Sequence, residues 1–245
     1  MDKLRGIVLA GGLGTRLGHL TKVLNKHLLP IYDKPMIYYA LDKMAEAGIK
    51  DVLVVTGDKN AGNMVQALGN GSEWGFEKFY YAFQAGNGGI ADALRLAEDF
   101  SNHEPILVIL GDNVFSDNLK PATNSYFNND YHERGAMVFL KPTNEAQRFG
   151  VAEVVNNKII SIEEKPKQPK SNLAVCGIYL YDGQVFDFIK QIKPSSRGEL
   201  EITDVNNMYI SNSILRYSIL TGEWTDAGTY DSLLKASELR KQKLI

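Results

Sequence analysis

The residues whose types and spacing could do chemistry begin in a glycine-rich segment after the first predicted strand. The apolar run of residues 6–10 leads into Gly11, Gly12, Leu13, Gly14, Thr15 and Arg16. A strand that ends in glycines lets backbone N–H groups approach an anion closely, because no Cβ atom stands in the way. Arg16 and Lys26 add fixed positive charge beside that concavity. The segment therefore predicts a phosphate site, and a triphosphate would suit its charge.

This segment differs from two well-known phosphate-binding motifs. It is not a Walker A sequence, because no Gly-Lys-Ser/Thr follows at the required spacing. It is also a poor dinucleotide fingerprint, since Gly12, Gly14 and Gly18 give G-x-G-x-x-x-G and we expect no helix to start within it. The glycines alone are equally consistent with a plain tight turn. The two cations in the same loop favour phosphate binding.

Two acidic residues follow apolar segments farther along the chain. Asp112 comes directly after the run 106–111, where an α/β sheet presents side chains to its ligand crevice. Asp226 lies in the WTDAGT segment, shortly before the last predicted helix. Two carboxylates that converge with phosphate oxygens commonly hold Mg²⁺, which prefers oxygen ligands. Taken separately, Asp112 is compatible with an ordinary turn and Asp226 with a helix N-cap.

Two further segments carry weaker signals. The EEKP sequence, residues 163–166, closes a predicted strand. Its lysine could grip a phosphate while Glu164 accepts hydrogen bonds from hydroxyl groups, although such runs are usually solvated strand ends. Gln84 also follows a strand, and its amide can donate and accept at once, so it could read the edge of a base.

Composition limits the class of protein. The chain has 245 residues, 44% hydrophobic and 23% charged, as expected for a globular protein with a full core. Its formal net charge of -2 argues against a nucleic-acid binder, which usually carries a basic excess. The single cysteine, Cys176, excludes an internal disulfide, and the four histidines lack metal-ligand spacing. No apolar run approaches the ~18 residues of a membrane span, so we expect no membrane association and a cytoplasmic location.

The elements that must position these residues alternate between strand and helix in the first half. Continuous apolar runs predict strands at 6–10, 52–56, 79–83, 106–110 and 136–140. Helical patterns lie between them at 35–47, 61–68, 90–100 and 119–131. This alternation predicts an α/β fold with a mostly parallel sheet, flanked by helices, and ligands at the carboxyl ends of its strands.

After residue 142 the pattern changes toward antiparallel structure. Strands predicted at 151–155 and 159–163 are separated by Asn156 and Asn157, a hairpin turn pair. Further strands are expected at 174–181 and 215–220, and helices at 185–192, 202–210 and 230–243. We predict one domain over 1–245, with a first half of about 1–140 and a smaller, more antiparallel insert of about 141–225.

Taken together, the motifs resemble a known enzyme family. The order in which they occur is that of bacterial glucose-1-phosphate thymidylyltransferases: LAGGLGTRL, NKHLLPIYDKPMIYYAL, ILGDN, RFGVAEV, IEEKP, GIYLYD, RGELEITDVN and WTDAGT. The match begins at residue 6 and covers nearly the whole chain, whose length resembles the short form without a C-terminal helical extension. The resemblance implies a Rossmann-like nucleotidyltransferase fold. It also implies Mg²⁺-dependent conversion of dTTP and α-D-glucose 1-phosphate into dTDP-glucose and pyrophosphate.

The resemblance also implies roles for individual residues, with residues of about 1–140 forming a nucleotide-binding half and the insert of about 141–225 binding the sugar. The catalytic cations would be Arg16 and Lys26, which neutralise the β- and γ-phosphates, and Lys165, which holds the sugar phosphate. The nucleotide would be bound by Leu9, Gly11, Gly12, Gly14, Thr15, Gln84 and Gly89, the last two reading thymine. The hexose would be lined by Asn113, Gly150, Glu164, Val175 and Tyr179. The Mg²⁺ ligands would be Asp112 and Asp226.

Some features leave alternatives open. His19 replaces the family's usual proline, and Phe149 stands where a tyrosine is common, so a hydroxyl contact to the sugar is missing. Uracil and thymine present the same edge to Gln84, so UTP or another hexose 1-phosphate remains an alternative. A catalytically silent homologue is disfavoured because the cations and acids are all retained. An NAD-dependent oxidoreductase is disfavoured by the glycine spacing and by the lack of an acidic residue ~20 positions on. A homo-oligomer is left open.

Overall fold

A nine-stranded mixed sheet forms the centre of the protein in the computed structural model, which describes residues 4–59, 61–128 and 135–245. The strands are β1 (Arg5–Ala10), β2 (Pro30–Ile31), β3 (Lys34–Pro35), β4 (Asp51–Gly57), β5 (Lys78–Gln84), β6 (Ile106–Leu110), β7 (Asn113–Phe115), β8 (Ala136–Pro142), β9 (Gly150–Val155), β10 (Lys158–Glu164), β11 (Leu173–Tyr181), β12 (Leu215–Ile219) and β13 (Trp224–Asp226). The α-helices are α1 (Met36–Glu46), α2 (Ala61–Leu68), α3 (Ile90–Arg95), α4 (Glu98–Ser101), α5 (Lys120–Asn128), α6 (Gln184–Gln191), α7 (Ile202–Ser211) and α8 (Tyr230–Lys241).

The parallel part of the sheet is built around β1. This strand pairs in parallel with β4 on one side and β6 on the other, and β5 pairs in parallel with β4. Residues of β1 and β4 are buried on both faces, which explains why these strands are apolar without alternation. The carboxyl ends of β1, β5 and β6 reach the same edge of the sheet, so Gly11, Gln84 and Asp112 approach one another there.

Most strands of the second half continue the same sheet in antiparallel fashion, whereas β12 pairs in parallel with β8. Strand β11 pairs antiparallel with β6 at one end and with β9 at the other, while β8 covers its opposite edge. The predicted hairpin is confirmed: β9 and β10 are joined through Asn156 and Asn157, whose φ angles of 49° and 60° suit a tight turn. Because both halves share one sheet, the proposed division near residue 140 is not a boundary between two separate sheets. That the first half binds the nucleotide and the insert binds the sugar stays a prediction.

The predicted elements are confirmed with shifted ends, and four short strands that the sequence did not predict, β2, β3, β7 and β13, are added to them. The helix predicted at 90–100 is divided into α3 and α4, because Leu96 and Ala97 make i→i−3 bonds that interrupt the α-helical ladder. Helix α5 ends at Asn128, and the rest of the predicted segment lies outside the described residues. The expectation that no helix starts within the glycine segment is wrong for 3₁₀ structure, which forms at Thr15–Thr21 and again at Lys26–Leu28. Gly14, at φ 65°, precedes the first of them, and Gly18, at φ 47° and ψ -114°, kinks it.

Helices cover both faces of the sheet and enclose two apolar layers. Ile7 and Leu9 of β1 face the layer that contains residues of α3, α6 and α7. Val8 and Ala10 face the opposite layer, which contains residues of α1, α2 and α5. Cys176 is fully buried in this second layer, and burial raises the pKa of its thiol well above the usual value, as expected for a core residue. Within the described ranges, no helix is long and apolar enough to cross a membrane.

Candidate functional site

A cavity of about 690 Å³ opens at the carboxyl edge of the parallel strands. Every predicted site residue except Gly14 contributes to its wall: Leu9, Gly11, Gly12, Thr15, Arg16, Lys26, Gln84, Gly89, Asp112, Asn113, Gly150, Glu164, Lys165, Val175, Tyr179 and Asp226. The two halves of the chain therefore contribute to one cavity rather than to separate sites.

The glycine segment approaches its neighbours too closely for larger residues. A Cβ atom at Gly11 would collide with Gln84 Oε1, and one at Gly12 would lie 3.6 Å from Lys26 Nζ. Gly14 lies outside the cavity wall with φ 65°, and a Cβ atom there would lie 2.8 Å from Thr21 Cγ2 and 2.9 Å from Lys26 Cβ. Gly14 thus turns the chain so that Lys26 can reach the cavity.

Lys26 forms an ion pair with Asp112 inside the cavity wall. Its Nζ donates to Asp112 Oδ2 at 2.5 Å, and only 9% of Lys26 is exposed. Burial works to raise the pKa of Asp112, but the Lys26 charge and the hydrogen bonds from Lys26 and Asn113 hold it below its usual range. Asn25 positions the lysine, because its Oδ1 accepts from His27 N at 2.9 Å and caps the 3₁₀ helix that contains Lys26. Asp112 is therefore ionised at neutral pH.

Asp226 reaches the same place through a strand pairing. It ends β13 and lies opposite Asn113 of β7, one residue from Asp112. The helix N-cap alternative for Asp226 is wrong, since Thr229 caps α8 with a capping box. Arg148 donates from its terminal nitrogen to Asp226 Oδ1 at 3.0 Å. Burial, with a further contribution from the Asp112 charge, raises the pKa of Asp226 to about 6, against the effect of nearby cations.

The two carboxylates form a donor set that fits a hard divalent cation. Among the described residues, no group of three or more His, Cys, Asp or Glu side chains converges on one point, so protein ligands alone would not complete a shell. Asp112 and Asp226 are nevertheless close enough that the charge of one raises the pKa of the other. A bound Mg²⁺ usually takes one or two carboxylates and fills its remaining positions with phosphate oxygens and water.

A second group of charges surrounds Glu164 and Lys165. Lys165 adopts φ 45°, an uncommon left-handed conformation for a residue with a side chain, and its N–H donates to Phe149 O at 3.0 Å. Glu164 accepts from Thr203 Oγ1 at 2.5 Å and lies 3.3 Å from Lys165 Nζ. Arg197 lies 3.5 Å from the same carboxylate and makes two hydrogen bonds to Glu201, at 3.1 and 2.7 Å. Carboxylates therefore hold both cations, Lys165 and Arg197, at the cavity wall.

The predicted sugar residues line the cavity next to these charges. Asn113 is 3% exposed, and its Oδ1 accepts from Gly177 N at 3.0 Å and from Trp224 Nε1 at 2.8 Å. Its amide therefore also ties three strands together. Tyr179 stacks on Tyr181 with ring centroids 5.6 Å apart, and burial raises the pKa of its hydroxyl.

Gln84 has less freedom than its sequence position suggested. Its Nε2 donates to Asp92 Oδ2 at 2.8 Å and to Gly89 O at 3.2 Å, so both hydrogens of the amide are engaged. Gln84 is predicted to donate and accept at once, but in this arrangement only its Oε1 is available to a ligand.

Several cavity residues were missed from the sequence. Among them are His27, Arg148, Arg197, Glu201, Thr203 and Trp224. His27 is buried, and burial together with the Lys26 charge lowers its pKa to about 3, so the ring is neutral. Most of the others lie inside the RFGVAEV, RGELEITDVN and WTDAGT segments. Their position inside these family motifs is the signal in the sequence that could have identified them as site residues.

Comparison with known proteins identifies the family of this chain. The family model described as "Nucleotidyl transferase" matches residues 5–243. The chain belongs to the nucleotidyl transferase family. It is 43% identical over 242 residues to the glucose-1-phosphate thymidylyltransferase of Neisseria meningitidis serogroup A, covering 96% of this chain and 81% of that protein. It is 42% identical over 245 residues to the enzyme of the same name from Xanthomonas campestris pv. campestris, covering 97% and 80%.

Solved structures of nucleotidyl transferases share the fold. A Bacillus anthracis structure assigned provisionally as a glucose-1-phosphate thymidylyltransferase, in complex with a sucrose, has a TM-score of 0.91 and 51% identity, covering 96% of this chain and 94% of that one. UDP-glucose pyrophosphorylase complexed with UDP-glucose has a TM-score of 0.86 and 27% identity, covering 99% and 100%. The predicted Rossmann-like fold and the family resemblance are thereby confirmed.

Proposed function

We propose that this nucleotidyl transferase transfers a thymidylyl group from dTTP to α-D-glucose 1-phosphate, giving dTDP-glucose and pyrophosphate. The observation that carries the proposal is the joining of three groups in one cavity. These are a glycine loop with Arg16 and Lys26, a carboxylate pair, and a second region in which Lys165 and Arg197 are held by carboxylates. Such a cavity suits two anionic substrates. The relatives named glucose-1-phosphate thymidylyltransferase support the choice of dTTP and glucose 1-phosphate.

The proposed transfer requires positioning of the two substrates and neutralisation of their charge, but no general base. A phosphate oxygen of glucose 1-phosphate is already anionic at neutral pH. It forms the new bond to the α-phosphorus of dTTP, while the bond from that phosphorus to the bridging oxygen breaks and its electron pair leaves with pyrophosphate. Arg16 and Lys26 would stabilise the departing charge, and Lys165 with Arg197 would hold the attacking phosphate. We propose direct displacement, so the configuration at phosphorus should invert.

We further propose that Mg²⁺ is held by Asp112 and Asp226. When bound, the ion would offset phosphate charge and orient the phosphate oxygens. In this arrangement Lys26, which is paired with Asp112 in the protein alone, would be released toward the phosphates. Its stem is buried and its Nζ lies next to Gly12, so only the end of the side chain needs to move.

A UTP-dependent reaction is the alternative within the class. It is favoured by the likeness to UDP-glucose pyrophosphorylase, and disfavoured by the lower identity of 27% to that protein. Gln84 Oε1 would accept equally from the N3–H group of uracil or of thymine, so this residue cannot separate the two bases.

Nucleoside triphosphates and sugar phosphates are cytoplasmic metabolites, and we propose a cytoplasmic location on that ground.

Pyrophosphate release tests the proposal. The purified protein is assayed with Mg²⁺ against a grid of nucleoside triphosphates and hexose 1-phosphates. The highest kcat/KM is expected for dTTP with α-D-glucose 1-phosphate, and EDTA should abolish turnover. A maximum at UTP or at another sugar would refute the stated substrates. Retained configuration at phosphorus, or a nucleotidylated protein, would refute direct displacement.

A further inference from the structure

The orientation of the Gln84 amide is decided by its two partners. Gln84 ends β5, is 4% exposed and lies against Gly11, and its Nε2 is 2.8 Å from Asp92 Oδ2 and 3.2 Å from Gly89 O. A carboxylate and a backbone carbonyl can only accept hydrogen bonds. The nitrogen of the amide must therefore face Asp92 and Gly89, and its oxygen must face away from them.

The amide consequently offers the cavity an acceptor alone. The Oε1 atom lies over Gly11, where a Cβ atom would collide with it. Among the residues that the structure describes, none donates a hydrogen bond to this oxygen. Both hydrogens of Nε2 are engaged, so a ligand that meets Gln84 has to bring the donor itself.

Asp92 is itself held in place. It lies in the first turn of α3, and Arg95 donates to its other oxygen, Oδ1, at 2.6 Å. A Cβ atom at Gly88 would collide with Asp92 Oδ2, so the loop before α3 closes directly over the carboxylate. Only 16% of the Asp92 side chain is exposed. The carboxylate is thus fixed beside Gln84 rather than free to rotate into solvent.

We infer that Asp92 is a positioning residue that makes the site selective for pyrimidines with a hydrogen on N3. This inference rests on the proposed function and goes beyond it by naming how the base is chosen. Thymine and uracil carry the N3–H donor that Gln84 Oε1 requires. Cytosine in the same position presents an unprotonated N3, so two acceptors would face each other without a proton between them. A cytidine nucleotide is rejected although it has the same size and charge.

The test compares pyrimidine nucleotides in wild type and Asp92→Asn. Asparagine is isosteric with aspartate but can present either an acceptor oxygen or a donor NH₂ to the Gln84 amide. When it presents its NH₂, the Gln84 amide can rotate so that its Oε1 faces residue 92 and its Nε2 donates to N3 of cytosine. Values of kcat/KM are measured for dTTP, UTP and dCTP with α-D-glucose 1-phosphate and Mg²⁺. Asp99→Asn is the matched control, because it removes the same charge from an exposed position on the next helix, α4.

We expect wild type and Asp99→Asn to prefer dTTP over dCTP by about 10³-fold or more, as for other sites built to pair one polar group. In Asp92→Asn this ratio should fall at least about tenfold. The dTTP to UTP ratio should stay constant, since both bases carry N3–H. An unchanged dTTP to dCTP ratio, or an equal fall for all three nucleotides, would overturn the role of Asp92. A wild type that uses neither dTTP nor UTP would instead overturn the proposed function.

Discussion

Arg16 shows at the scale of single residues how a side chain can be placed for charge rather than for packing. It is exposed at the cavity wall, and it makes no ion pair within 4 Å among the described residues. Its guanidinium lies beside Gly228, where a Cβ atom would be 3.1 Å from one terminal nitrogen. An unpaired cation at this point contributes little to folding and is available to a departing phosphate.

We therefore expect Arg16→Ala to lower kcat by about 10²- to 10³-fold, the usual cost of removing one positioned donor to developing charge. Its melting temperature should stay within about 2 °C of wild type, because surface substitutions change stability little. Pyrophosphate release and differential scanning fluorimetry measure the two quantities. Arg240→Ala is the control for activity, since Arg240 lies on α8, pairs with Asp33 and does not line the cavity. Full activity in Arg16→Ala would exclude the proposed role.

At the scale of elements, short segments bring distant charges together. The 3₁₀ turn Ala146–Arg148 directly precedes β9, and strand β13 pairs with β7. Together they bring Arg148 to Asp226 across 78 positions of sequence, with Arg148 also bonded to Glu145 at 2.8 Å. Arg148 therefore donates to an oxygen of Asp226, a proposed metal ligand. If a metal ion displaced it from Asp226, its hydrogen bond to Glu145 would remain.

Arg148 and a metal ion would compete for Asp226. In the absence of nucleotide, Arg148→Gln should therefore bind Mn²⁺ about five- to tenfold more tightly than wild type. This factor corresponds to the free energy of about one hydrogen bond to a charged group. Isothermal titration calorimetry measures the affinity, with Arg240→Gln as a control of equal charge change. The Mn²⁺ affinity of Arg148→Lys should lie between those of wild type and Arg148→Gln, because lysine keeps the charge without the planar guanidinium. Equal or weaker Mn²⁺ binding by Arg148→Gln would contradict the competition.

At the scale of the whole molecule, folding brings two largely buried acids, Asp112 and Asp226, into one cavity. Asp226 has its pKa raised from 3.8 to about 6, mainly by burial and by the charge of Asp112. A raised pKa of an acid means that ionisation is easier in the unfolded chain. The contribution of this group to stability is therefore present below pH 4 and is lost as the pH rises through 6.

In EDTA, Asp226→Asn should consequently be more stable than wild type at pH 7, by up to about 3 kcal/mol at 1.36 kcal/mol per pKa unit. The difference should shrink as the pH is lowered toward 4, where wild-type Asp226 is protonated. Urea unfolding at several pH values measures it, with Asp187→Asn as an exposed control on α6 that should show no such trend. The same variant should lose turnover if Asp226 holds the metal. A stability difference that does not change with pH would rule out the electrostatic cost.

The elements and the acidic residue at the end of β6 could be determined from the sequence, because their signals are local. Apolar runs without alternation indicated β1, β4 and β6, and Asn156 with Asn157 indicated a hairpin. Glycines next to two cations indicated the phosphate loop, and Asp112 was expected at the crevice because parallel strands end there. The family motifs extended this to most of the cavity wall.

Only the tertiary structure decided which charges meet and which atoms remain available. The pairing of β13 with β7 places Asp226 beside Asp112, and the turn before β9 brings in Arg148. Arg197 comes within 3.5 Å of Glu164, from which it is far away in the sequence. The orientation of the Gln84 amide follows from Asp92, eight positions away on a separate element. Such contacts depend on strand order and side-chain direction, which neighbouring residues in the sequence do not encode. The chemistry of the site therefore became specific only once the sheet was assembled.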